Sequence, residues 1–74
     1  MLTYRMRIMH LGDDCTQVTR TAAVELGTDE NKAREILRSF QPLTHRRLRL
    51  QLESAEADAS GNPVSKWNAD RRIQ

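Results

Sequence analysis

Hydrophobic and polar positions alternate in three stretches of this chain and follow a helical period in a fourth. Leu2, Tyr4, Met6 and Ile8 alternate with Thr3, Arg5, Arg7 and Met9, the period of two that marks a strand with one buried face. After turn chemistry at Gly12, Asp13 and Asp14, Val18, Ala22 and Val24 recur on alternate positions, with Thr19, Thr21 and Glu25 opposite; an antiparallel hairpin follows. Arg20 interrupts that buried row. Its place is expected at a sheet edge, where the stem packs and the guanidinium reaches water.

The segment Thr28 to Phe40 changes period. Ala33, Ile36, Leu37 and Phe40 fall at i, i+3, i+4 and i+7, one apolar stripe on a helix whose other positions carry Glu30, Lys32, Arg34, Glu35 and Arg38. Gly27 lets the chain turn, Thr28 is the expected N-cap, and Asp29 and Glu30 place negative charge at the positive end of the helix dipole. Glu30 and Arg34 form a favourable i,i+4 pair, and Pro42 is expected to end the element.

Beyond it, Leu48, Leu50 and Leu52 alternate with Arg47, Arg49, Gln51 and Glu53. Leu48, Leu52, Ala55 and Ala59 also keep helical spacing, but a helix would leave Leu50 wet, so Arg46 to Glu53 reads as strand. The turn signal Ser60-Gly61-Asn62-Pro63 divides SAEADA from VSKWNADRRI. These read as a hairpin of short strands, with Trp67 closing one end of the core and the last residues frayed. The expected fold is α+β, an antiparallel sheet with one helix packed on one face, in the order β-β-α-β-(β-β), as one domain over 1–74.

Size and charge narrow the functional reading. A single core in a chain of 74 residues gives marginal stability, which favours a partner or a homodimer. One cysteine excludes an internal disulfide framework and fits a reducing, cytoplasmic setting. No apolar run reaches the length of a membrane span. Twelve basic against ten acidic residues leave a net charge of +2, too small to imply nucleic-acid binding by itself.

With the leucine, valine and methionine rows turned to the helix, the opposite sheet face carries Arg5, Arg7, Thr19, Thr21, Arg47 and Arg49. Four guanidinium groups and two hydroxyls can contact phosphates or an acidic protein surface. Alternatively, Arg7 and Arg49 pair with Glu25 or Glu53 across strands. No aromatic residue joins that face, which disfavours readout of bases by stacking. His10, Asp13, Asp14 and Cys15 gather in a turn, but their spacing fits no zinc pattern even with His45, so no metal or other cofactor is expected. No serine or cysteine has a nucleophile context and no glycine loop cradles phosphate, so the chain reads as non-enzymatic.

The succession TYRMRI, VTRTAAVEL, a capped helix with KAREIL, RLRLQLES and a final KW resembles small phage-encoded anti-CRISPR inhibitors of type I systems, with SGNPVSKW in place of their compact DGKxW turn. The resemblance implies an inhibitor in the host cytoplasm that binds backbone subunits of the surveillance complex and obstructs target DNA. The HRRLRLQLES segment is also similar to the archaeal large-subunit ribosomal protein LX, which implies an RNA-bound role. The leading expectation is a non-catalytic protein that occupies a surface of a larger protein or ribonucleoprotein complex. The alternative is a small basic domain that binds nucleic acid directly.

Overall fold

In a computed structural model, which describes residues 1–14, 16–40 and 47–69, the chain runs β1 (Leu2–Leu11), β2 (Val18–Gly27), α1 (Glu30–Phe40), β3 (Leu48–Glu56) and β4 (Asn68–Ala69). The fold is α+β, with a four-stranded antiparallel sheet in the order β2-β1-β3-β4. The central strand β1 is paired along nearly its whole length on both edges, whereas β3 pairs fully with β1 and over only two residues with β4. Its register sets Met6 beside Val24 and Leu52, and Ile8 beside Ala22 and Leu50, so the even-numbered apolar rows share one face.

The helix lies on that face. Tyr4, Met6, Ala33, Leu37 and Leu52 form the core, with Ile8, Leu26 and Leu50 partly buried against it. Leu37 and Leu52 are fully enclosed, each worth about 2–3 kcal/mol relative to exposure. Leu48 to Leu52 is strand, as the strict alternation requires.

Where α1 begins, Asp29 rather than Thr28 is the cap: its Oδ1 accepts the Lys32 N–H at 3.1 Å, and its carbonyl accepts the first helical bond from Ala33 at 3.0 Å. The carboxylate also places a full negative charge on the helix's positive end, which a hydroxyl cannot. Gly27, with φ of 84°, takes the left-handed turn that an L side chain resists. Glu30 ties the first turn to the sheet by accepting from Tyr4 Oη and Arg34 Nε, both at 3.0 Å.

Three further expectations need correction. Ser54 to Glu56 is no separate strand but the end of β3, paired along β1 as far as Leu2. The chain then returns through a turn in which Asp58 Oδ1 accepts from the Ser60 and Asn62 N–H groups at 2.9 and 3.0 Å. Trp67 does not close the core; it lies on the reverse side of the sheet. Val18, Val24 and Phe40 were expected in buried rows, yet are 48%, 44% and 46% exposed. One eleven-residue helix is about 16 Å long, too short to roof all of a ten-residue edge strand. The termination at Pro42 and the fraying of the last residues lie outside the described residues.

Candidate binding surfaces

The arginine face has the parity read from the sequence but is not open. Arg5 faces Glu53 directly across β1 and β3, and Arg7 reaches it diagonally. Glu53, only 9% exposed, accepts Arg5 Nε at 2.6 Å on Oε1 and Arg7 Nε at 3.1 Å on both oxygens. One carboxylate thus holds two guanidinium groups. Arg7 Nη1 also donates to Thr21 Oγ1 at 2.8 Å. The Trp67 ring covers Arg5, with the guanidinium carbon 4.2 Å from its centroid, a cation–π contact that adds to the ion pair. Thr3 and Ala55 are buried on this same side.

Arg5, Arg7 and Thr21 are therefore brought together. Thr19 is not among them: it sits at an irregularity in the β1–β2 register and donates to the His10 carbonyl at 3.3 Å. Arg47 precedes β3 and pairs with Asp13 at 2.9 Å. Arg49 is exposed opposite Met9 and shows no ion pair among the described residues. Of the cross-strand pairings open to Arg7 and Arg49, only Arg7 with Glu53 forms; Glu53 gains Arg5 instead because register puts them side by side.

In the β1–β2 turn, Asp14 Oδ1 accepts the Thr16 N–H at 3.0 Å. That bond holds its carboxyl below the usual carboxylate range. No cluster of three or more metal-ligating side chains occurs among the described residues, and Cys15 and His45 lie outside them.

The second surface was not expected from the sequence. Between β2 and the last turn of α1 the helix face opens into a cleft of ≈ 250 Å³, lined by Met6, Ile8, Val24, Leu26, Ile36, Phe40, Leu48 and Leu50. All its lining side chains are apolar. The signal for it was the mismatch between three long apolar rows and a single short helix, since one helix covers a stripe rather than a sheet face.

No family model matches the chain. No curated protein and no solved structure matches it either. No helix among the described residues is long and apolar enough to cross a membrane.

Proposed function

We propose that the chain is a non-catalytic binding protein that occupies a surface of a larger, nucleic-acid-handling protein or ribonucleoprotein complex. The observation that carries the binding role is the apolar cleft with Phe40 and Val24 half exposed at its rim. A cleft below ~300 Å³ is smaller than the usual small-molecule pocket and suits one or two apolar side chains of a protein partner, the kind of anchor that dominates interfaces. The nucleic-acid-handling nature of the complex rests on the likeness of sequence pattern to phage anti-CRISPR inhibitors.

The arginine face supports a protein surface over a direct phosphate contact. With Glu53 satisfying Arg5 and Arg7 and Asp13 pairing Arg47, Arg49 is the arginine of this face that shows no ion pair among the described residues, and phosphate-driven binding needs several unneutralised cations. The test is affinity capture from nuclease-treated host lysate with the wild type, Phe40→Glu and Arg49→Glu. A partner retained by wild type and Arg49→Glu but lost with Phe40→Glu is expected. Capture that vanishes on nuclease treatment, or that depends on Arg49 and not on Phe40, would overturn the reading.

A further inference from the structure

We infer that the free edge of β2 pairs antiparallel with β2 of a second copy, about a two-fold axis through Ala23, joining the two sheets into one. The pairing rests on the β2 edge rather than on the interior of the cleft, with which it shares the rim residue Val24. In the β1–β3 ladder the bonds Leu11 N–H to Arg47 O at 2.7 Å and Ala57 N–H to Met1 O at 2.8 Å show that the odd-numbered backbone groups of β1 turn to β3. Its even-numbered groups therefore turn to β2, where Met6 faces Val24, Ile8 faces Ala22 and His10 faces Arg20.

It follows that Thr21, Ala23 and Glu25 turn their N–H and C=O groups away from β1. Among the described residues no strand lies on that side, and β2 is exposed from Val18 to Glu25. Natural proteins protect such an edge with proline, charged side chains, bulges or a short strand; β2 has ten residues and no proline, and its charges Arg20 and Glu25 stand at the two ends of an uncharged stretch, Thr21-Ala22-Ala23-Val24, that stays open. Register irregularities at both ends confine the regular open ladder to the stretch between Arg20 and Glu25.

Charge complementarity points to a copy of the same strand: pairing about Ala23 sets Glu25 of one copy against the Thr21–Arg7 pair of the other. Antiparallel neighbours on a common face must share parity, and the axis at Ala23 satisfies this while using every outward group, for roughly six hydrogen bonds. Glu25 of the second copy then lies opposite Thr21, beside the Arg7 Nη1 that Thr21 already accepts. Glu25 has no ion pair of its own among the described residues. On the helix side Ala22 of one copy meets Val24 of the other, covering a valine that is 44% exposed. No like charges face each other.

The paired stretch is short, roughly 20 Å, and buries less than the ~1,000 Å² of a tight interface. The dimer is therefore weak, with a dissociation constant on the order of 100 µM. Sedimentation velocity across about 10 µM to 1 mM is expected to show the mass rising from the 8.5 kDa chain toward twice that value.

Ala23→Pro removes an outward N–H that the chain itself does not use, so it should abolish dimerisation with unchanged circular dichroism. Ala23→Lys and Ala23→Glu each set like charges opposite at the axis and should be monomeric alone, while their equimolar mixture should form a heterodimer at least tenfold tighter than either homodimer. A wild type that stays monomeric to 1 mM, a dimer that survives Ala23→Pro, or a mixture that fails to associate would overturn the inference.

Discussion

Glu53 sits between two guanidinium groups with its side chain 12% exposed, against 21% for Arg5 and 25% for Arg7. Removing it leaves two cations beside each other without a counter-charge, a change that in fully buried pairs costs ~3–5 kcal/mol. Because both arginines keep some water, about 2–3 kcal/mol is expected for Glu53→Ala in urea denaturation. Glu53→Gln retains shape and one acceptor and should recover roughly half of that loss.

Asp14 shows the opposite situation, a fully exposed carboxylate whose folded pKa is depressed by the Thr16 N–H. Its contribution is present above the ordinary carboxylate pKa and fades as pH falls through the lower folded value. Asp14→Asn, which keeps the acceptor and has no charge to titrate, should remove this one group's share of the acid-side loss, read in urea denaturation as a slightly shallower decline below the ordinary carboxylate pKa than wild type shows. At this scale the sequence allowed a pairing of Arg7 with Glu53 but could not choose it over Glu25. The choice is made by register, and register depends on how whole strands meet.

Among the elements, α1 was the most legible because its start, apolar stripe and charged face coincide over few residues. The cap was misplaced by one because Thr28 and Asp29 are both good caps and differ only in which one the chain bends at. Asp29→Ala is expected to cost about 1 kcal/mol and Thr28→Ala only a few tenths, a difference that thermal denaturation of the two variants resolves. The third strand was legible for another reason: alternate leucines leave no dry face for Leu50 on a helix.

The final segment was legible in its turn and antiparallel return, which the Ala57–Pro63 bridge and the β3–β4 pairing bear out, but not in where its side chains go. Its short polar run has no apolar row to fix which side of the sheet it covers. Trp67 reads as core by size alone, yet the chain places it on Arg5, where its face meets a cation and its edge meets water. Cation–π geometry of this kind leaves no trace in apolar periodicity.

For the whole molecule, one helix over a four-stranded sheet leaves β2 underused, exposed along its side chains and open along its outer hydrogen-bonding edge. That imbalance is invisible in any single segment, because each apolar row looks equally entitled to burial. It links the two proposals, since edge pairing would set two apolar clefts on the same side of one extended sheet. It also gives stability a concentration dependence.

A ligand that binds only the folded chain stabilises it by mass action, and a second copy is such a ligand. With a dissociation constant near 100 µM, raising the concentration from about 10 µM to 1 mM should add on the order of 1 kcal/mol. In a domain of this size that raises Tm by roughly 4–8 °C. Ala23→Pro should hold the same Tm at both concentrations, since the amide it removes supports no bond within the chain. Phe40→Glu, by contrast, alters the cleft and leaves the β2 edge intact, so its Tm should still climb with concentration. Scanning calorimetry of the three proteins at the two concentrations separates edge pairing from apolar association through the cleft, because each mechanism is abolished by a different one of the two substitutions.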